Sequence, residues 1–164
     1  MRNFLQQFKQ RDAGPLVQFI KYAISGGVAT AVHICLFYLL AWKFMPALST
    51  DDVVAGALNL PVREVSDAIR SRNSMIDNFV AFIFSNFTAY ILNILWVFKP
   101  GRHHPVVEIA MFYAVSGVSI FVGTSIMGLL IRYFGMMTTV AFCANLVSAL
   151  LINYAMRKYV IFKG

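Results

Sequence analysis

Three hydrogen-bonding side chains recur at helical spacing inside an apolar segment. Asn86, Tyr90 and Asn93 lie four and three positions apart, so a helix places them on one narrow face. Residues 79–98 carry no formal charge, and a helix of this length crosses a bilayer core of roughly 30 Å. The polar stripe has two interpretations. It hydrogen-bonds neighbouring helices, or it lines a path for a polar substrate.

The composition excludes a soluble globular protein. Of the 164 residues, 59% are hydrophobic and only 13% are charged, which is typical of a small integral membrane protein. The formal net charge is +7. Because the basic residues fall at segment ends, lipid headgroups and membrane topology explain them better than nucleic acid does.

The apolar segments predict one all-α membrane domain, residues 1–164, with four transmembrane helices and a short amphipathic helical insertion between the first two. The predicted spans are residues 16–44, 79–98, 107–133 and 138–155, and residues 45–77 form an extramembrane loop. Nine of the 14 Lys and Arg residues fall on the side of the termini and the middle loop, and five fall on the other side. This bias predicts that both termini are cytoplasmic.

The chain contains an internal repeat. The sequence YAISG at residues 22–26 matches YAVSG at residues 113–117, and VAF at residues 80–82 matches VAF at residues 140–142. Each half is one predicted helical hairpin, and the two hairpins form a parallel repeat about an axis along the membrane normal. His33 then corresponds to Thr124.

A site between the hairpins would have a polar stripe on each side. The stripes hold Asn86, Tyr90 and Asn93 in one hairpin and Asn145, Ser148 and Asn153 in the other. Four helices cannot enclose a wide pore, so the sequence favours a laterally open groove. The sequence leaves a homo-oligomer open.

Short signatures at the helix ends have a family resemblance. They are FIKY at residues 19–22 followed by SGGVAT at 25–30, NILWVF at 93–98, and Asn153 followed by RKY at 157–159. They resemble the GtrA-like family of four-span bacterial membrane proteins. The resemblance implies that the chain moves a polyprenyl-phosphate-linked monosaccharide, such as undecaprenyl-phosphate glucose, across the inner membrane for modification of cell-surface polysaccharide such as O antigen.

A polyprenyl-phosphate-linked sugar as substrate implies binding roles for the polar residues. The Asn stripes would bind sugar hydroxyls, and Tyr90 and Trp96 would stack on the sugar ring. The phosphate would be held at the cytoplasmic interface by Lys21, Lys99, Arg157 and Lys158. The alternative is that the interfacial Trp, Lys and Arg residues are ordinary membrane anchors. His33 would contact the substrate or couple protons, or would hydrogen-bond a facing Ser or Asn.

Other functions remain as alternatives. A scaffold would anchor a polyprenyl-phosphate-dependent glycosyltransferase through the small-residue face of the first helix, and a cation or drug exporter would carry an intramembrane carboxylate. The sequence has no GxxxxGK[ST] phosphate loop, no nucleophile with a base, and no recognised metal-ligand spacing. We therefore predict no enzymatic activity, no metal and no cofactor.

Overall fold

The computed structural model describes residues 4–11, 13–98 and 104–156, and within these ranges the regular elements are all helices. They are α1 (Phe4–Lys9), α2 (Pro15–Lys43), α3 (Val53–Ala57), α4 (Asp67–Leu92) with a π-helical turn at Asn93–Val97, α5 (Pro105–Phe134) and α6 (Thr138–Met156). Within the described part of the chain, three stretches are long and apolar enough to cross a membrane: Leu16–Lys43, Asp67–Val97 and Pro105–Phe134. The described apolar part of α6, Thr138–Ala149, is shorter.

Local sequence explains where the long helices begin and end. Pro15 and Pro105 occupy the first turns of α2 and α5, where a missing N–H costs no helical hydrogen bond. Ser66 caps the start of α4, as a short hydroxyl side chain does well. Gly135 ends α5 with φ 61°, a left-handed conformation that glycine adopts without strain.

The four long helices run antiparallel to their neighbours in the chain. At one end of the α4/α5 pair, Ser71 Oγ donates to the Gly128 carbonyl at 2.7 Å, and at the other end Tyr113 OH donates to the Ile83 carbonyl at 2.6 Å. A Cβ atom at Gly128 would overlap the sulfur of Met75, so the glycine allows the two helices to approach closely.

An aromatic stack closes the bundle between α2 and α6. The rings of Phe37 and Phe142 lie 4.0 Å apart and nearly parallel. Both side chains are fully or almost fully buried, together with Ala81 and Met127. The stack lies in the half of the bundle that carries residues 44–66. We call this half the loop end, and we call the opposite end, where residues 8–11 meet residues 95–98, the terminal end.

Asp52 anchors the segment between α2 and α4. Its carboxylate accepts from Val54 N at 3.0 Å, from Thr139 N at 2.8 Å and from Thr139 Oγ1 at 2.5 Å. Thr138 Oγ1 also donates to the Ala47 carbonyl. The segment is therefore tied to the first turn of α6, although the charges of residues 45–77 are typical of a solvated surface.

We expect Asp52→Ala to lower the free energy of unfolding by about 2–4 kcal/mol, because it removes a buried charged acceptor and leaves Thr139 N unpaired. The matched control is Asp51→Ala, since Asp51 is exposed beside it and its loss should change stability by no more than about 0.5 kcal/mol. Unfolding in detergent micelles by titration with a denaturing surfactant measures both. Equal losses would contradict the anchoring role.

The start of α4 differs from the predicted span at residues 79–98. The helix begins at Asp67, so residues 67–77 continue the same helix. Their polar side chains did not end the helix because several are buried against other elements. Arg70, for example, is 4% exposed and donates to Asp67 at 2.7 Å and to the Gly135 carbonyl at 3.2 Å. Between α2 and α4 the structure also has the five-residue helix α3.

A candidate polar site between the helices

A buried hydrogen-bond network centred on Asn78 joins all four long helices. Asn78 Nδ2 donates to Thr124 Oγ1 at 2.6 Å, and Asn78 Oδ1 accepts from Asn145 Nδ2 at 3.2 Å. His33 Nε2 is 2.9 Å from the same Oδ1. Because an amide oxygen only accepts, the network assigns the His33 proton to Nε2. His33 Nδ1 then faces Ser85 Oγ at 3.0 Å.

The network is built at equivalent positions of the two repeats. His33 and Thr124, which the sequence predicts to correspond, both bond to Asn78. Ser85 and Asn145 are separated by the same number of positions as the matched VAF sequences, and both also join the network. Each of the two predicted repeats would therefore contribute one polar pair.

A cavity of about 220 Å³ adjoins this network and receives side chains from all four long helices. Its polar lining residues are Thr30, His33, Ser85, Asn86, Ser116, Ser119 and Asn145. The space exceeds that of several water molecules at about 30 Å³ each. It falls below the roughly 300 Å³ at which pockets for drug-sized ligands begin, so its size suits a small polar group.

Two amides at the cavity have unused hydrogen-bonding atoms. Asn86 Nδ2, a donor, and Asn145 Oδ1, an acceptor, are both buried without a hydrogen-bond partner among the residues that the structure describes. Such orphaned groups are unusual, because each costs about 1–3 kcal/mol in a protein interior. Asn145 Oδ1 packs against Gly123, and Asn86 Nδ2 belongs to a residue that lines the cavity.

Comparison with known proteins identifies the family. The sequence model of the family described as "GtrA/DPMS, transmembrane domain" matches residues 21–162. The chain belongs to this family. Membership confirms the resemblance seen at the helix ends, and it indicates a membrane protein involved in handling polyprenyl-phosphate sugars. None of the curated proteins and none of the solved structures compared with the chain matches it.

The GtrA/DPMS protein brings three of the predicted substrate-binding residues together. His33, Asn86 and Asn145 all line the cavity. His33 also has the facing Ser and Asn partners that the sequence offered as its structural alternative. The substrate-binding role of each residue stays a prediction.

Other predicted residues lie outside the cavity lining. Tyr90 is 5% exposed and packs edge-on against Phe112, with ring centroids 5.9 Å apart. Asn93 is buried in the π-helical turn, and its Oδ1 has no partner. Ser148 is half-buried. The side chain of Asn153 is outside the part of the chain that the structure describes.

The predicted phosphate ligand Lys21 is enclosed at the terminal end. Its side chain is fully buried, Nζ donates to the Gln10 carbonyl at 2.6 Å, and the ammonium lies 5.5 Å from the centre of the Trp96 ring. Trp96 Nε1 in turn donates to the Phe8 carbonyl at 2.8 Å. Lys99, Arg157 and Lys158 lie outside the described residues. Phe8 in α1 therefore contacts Trp96, and Gln10 just after α1 contacts Lys21.

Basic side chains also donate to backbone carbonyls of the π-helical turn that ends α4. Arg11 Nε donates to the Leu95 carbonyl at 3.0 Å, and Lys21 Nζ lies 3.4 Å from the Trp96 carbonyl. The last carbonyls of a helix lack helical partners and carry partial negative charge, so basic groups stabilise them. Lys21 thus has a structural role that its position in the sequence did not indicate.

Two functional candidates were missed at the boundary of the predicted second span. Asn78 is the centre of the network, and Asp77 is 1% exposed with neither carboxylate oxygen hydrogen-bonded. Asp77 ended the predicted loop because a charge is disfavoured in a membrane span. The available signal was spacing, since Asn78 precedes Ser85 by seven residues, two helical turns, and so extends the polar face. Asp77 also places a carboxyl group in an apolar helix, as an exporter would require.

Gly123 makes room for Asn145 beside the cavity. A Cβ atom there would overlap Asn145 Oδ1 and lie 3.1 Å from its backbone oxygen. We expect Gly123→Ala to destabilise the protein by about 1–3 kcal/mol, because overpacking displaces the Asn145 amide.

The matched control is Gly117→Ala on the same helix, where a Cβ atom would meet nothing within 4 Å. This substitution should leave stability unchanged or raise it by up to about 1 kcal/mol, since alanine favours helix more than glycine does. Surfactant-induced unfolding of the purified variants measures both. If Gly123→Ala matches the control, α5 and α6 do not need this close approach.

Proposed function

We propose that this protein is a translocase for a polyprenyl-phosphate-linked monosaccharide, with undecaprenyl phosphate as the carrier, in the bacterial inner membrane. It acts as a single four-span domain of two repeated hairpins with both termini in the cytoplasm. It delivers the sugar for modification of cell-surface polysaccharide, including O antigen. In this role the protein is not an enzyme and uses no metal or cofactor.

The unpaired amide atoms at the cavity carry this proposal. Asn78 has its amide groups occupied by the network, so it needs no ligand to explain it. Asn86 Nδ2 and Asn145 Oδ1 have no such explanation. Since an unpaired polar group in hydrocarbon costs several kcal/mol, a sugar hydroxyl that crosses the bilayer gains from the same groups that the cavity leaves unpaired.

The size of the cavity favours binding of the sugar headgroup alone, without the polyprenyl chain. Its volume of about 220 Å³ suits a sugar headgroup, while a polyprenyl chain is apolar and does not need a polar cavity to cross the bilayer. The protein then lowers the barrier only for the part of the molecule that lipid rejects. Net flux follows consumption of the lipid-linked sugar on the receiving side.

The phosphate is proposed to bind basic residues at the terminal end, namely Lys21, Lys99, Arg157 and Lys158. For Lys21, this requires the segment at residues 8–11 to move, because the Gln10 carbonyl occupies Nζ. Movement of the same segment would release Trp96 Nε1 from the Phe8 carbonyl and free its ring to stack on the sugar.

The test is transport by purified protein in liposomes. A fluorescent short-chain polyprenyl-phosphate glucose is incorporated, and an impermeant reductant quenches the molecules exposed on the outer leaflet. We expect the protected fraction to become accessible much faster with protein than without it, while a fluorescent phospholipid is not accelerated. A rate equal to that of protein-free liposomes, or equal acceleration of the phospholipid, contradicts the proposal.

A second candidate, a scaffold for a glycosyltransferase, is favoured by the uncovered face of α2. Ala23, Gly27 and Ala31 are all exposed, and a Cβ atom at Gly27 would meet nothing within 4 Å. Small residues at this spacing allow a second helix to pack closely, whether from a glycosyltransferase or another copy of the chain. A stable complex with a glycosyltransferase, together with no transport in the liposome assay, would favour the scaffold.

A further inference from the structure

Two further pockets lie along α4 and α5 on the loop-end side of the central cavity, and each shares lining residues with its neighbour. Ile120 lines both the cavity and an apolar pocket of about 300 Å³. Met75, Ile76 and Ser125 line this apolar pocket and also a second pocket of about 550 Å³. We call the two outer pockets together the α4–α5 groove.

The inner part of the groove is apolar. Besides the shared residues, its walls include the exposed rings of Phe79 and Phe121. The hydroxyls there are already used, because Thr124 Oγ1 accepts from Asn78 and Ser125 Oγ donates to the Phe121 carbonyl. This part therefore suits a hydrocarbon chain.

The outer part of the groove ends in positive charge. Arg72 and Arg132 line it, and its lining contains no Asp or Glu. Both arginines are exposed. Among the described residues, Arg72 approaches Asn73 Oδ1 at a long 3.5 Å, and the Arg132 guanidinium lies 5.9 Å from the centre of the Tyr133 ring. Neither forms an ion pair within the described residues.

A nearby arginine shows the contrast. Arg70 is 4% exposed and paired with Asp67 at 2.7 Å, so its charge is already compensated within the protein. Arg72 and Arg132 have no such acidic partner among the described residues. An uncompensated pair of guanidinium groups beside an apolar groove complements a ligand with an anionic head and an apolar chain.

We propose that the α4–α5 groove binds the polyprenyl phosphate carrier at the loop end, with its chain along the apolar part and its phosphate on Arg72 and Arg132. A single groove between two helices accommodates one chain, which favours a one-chain polyprenyl phosphate over a two-chain phospholipid. The proposal rests on the translocase function and adds a second phosphate site at the opposite end from Lys21. Ile120 borders both the cavity and the groove, so a phosphate in the groove would lie on the loop-end side of a sugar in the cavity.

Binding of undecaprenyl phosphate to full-length protein in phosphatidylcholine nanodiscs tests the phosphate contacts. The double variant Arg72→Gln/Arg132→Gln should bind at least about tenfold more weakly than the unmodified protein, because each charge-assisted contact contributes on this scale. The matched control is Arg63→Gln, since Arg63 is exposed in the α2–α4 connection and does not line the groove. Equal affinities of the double variant and the control overturn the proposal.

Competition identifies the lipid. Unlabelled undecaprenyl phosphate should displace labelled undecaprenyl phosphate from the protein. Undecaprenol lacks the phosphate and phosphatidylglycerol has two chains, so both should compete poorly. Equal competition by phosphatidylglycerol would make the groove a general anionic-lipid site. Equal competition by undecaprenol would remove the role of the arginines. Either result overturns the assignment.

A blocking substitution tests the path independently of charge. Ser125→Trp fills the position shared by both outer pockets, and Val118→Trp adds the same ring at an exposed site on α5 outside them. Only Ser125→Trp should weaken binding of undecaprenyl phosphate. Weakening by both or by neither contradicts the path.

Different results would overturn the proposed groove site and the proposed translocase function. Transport by the unmodified protein that is unaffected by the Arg72/Arg132 and Ser125 variants overturns the groove and leaves the translocase. Arginine-dependent binding without transport overturns the translocase and leaves a polyprenyl phosphate binding site.

Discussion

Replacement of Asn78 by alanine is expected to lower the free energy of unfolding by about 2–4 kcal/mol, a large effect for one polar side chain in a membrane protein. The substitution leaves three buried groups without their partner, one each on His33, Thr124 and Asn145. These groups come from three other helices, so alanine weakens the joint between both hairpins. Surfactant-induced unfolding followed by tryptophan fluorescence or circular dichroism measures the loss.

Two comparisons separate the network from a simple loss of packing. Ser85→Ala removes one partner of His33 and should cost about 0.6–2 kcal/mol, the range for one interhelical hydrogen bond. Because Asn78 and His33 share a hydrogen bond, Asn78→Ala combined with His33→Leu should cost less than the sum of the two single changes, with a coupling of about 0.5–3 kcal/mol. Strict additivity, or an Asn78→Ala loss no larger than that of Ser85→Ala, contradicts the central role of Asn78.

The sequence predicts the class of protein and the inward side of the second predicted span, because both depend on local pattern. Residues 79–98 lack charge and carry a polar stripe, so they indicate a membrane helix with one distinct face. The stripe does face the other helices, since Asn86, Tyr90 and Asn93 are all buried. The family also follows from short local signatures, and the match to residues 21–162 confirms it.

The start of α4 could not be predicted because it depends on distant partners. A hydropathy window that reaches Arg70 and Asp77 predicts a loop. The folded chain supplies Arg70 with the carbonyl of Gly135, 65 positions away, and so allows a charged residue in a buried part of the helix. Lys21 is a similar case, because its partners are backbone carbonyls of Gln10 and Trp96, which no side-chain pattern marks.

Within the polar stripe, spacing alone could not separate structural amides from amides available to a ligand. Asn78 and Asn86 are alike in residue type and both lie on the inward side of α4. In the folded protein Asn78 bonds to three helices, and Asn86 retains an unpaired donor at the cavity. The difference depends on which neighbours reach each amide, and this is decided by the packing of α5 and α6.

This difference leads to the opposite expectation for Asn86. We expect Asn86→Ala to slow transport of polyprenyl-phosphate glucose by about tenfold or more, because the substrate loses a preorganised donor where water is scarce and each factor of ten corresponds to about 1.4 kcal/mol. Stability should change by less than about 1 kcal/mol, since the Nδ2 group has no hydrogen bond to lose in the folded protein.

The matched control for Asn86 is Thr88→Ala on the same helix. Thr88 donates to the Phe84 carbonyl of its own helix and does not line the cavity, so its loss should alter neither transport nor folding strongly. The liposome assay gives the rate, and the amount of folded protein per vesicle corrects it. If Asn86→Ala loses transport only in proportion to folded protein, or keeps the full rate, the amide serves helix packing, and the cavity loses the donor by which it would bind a sugar.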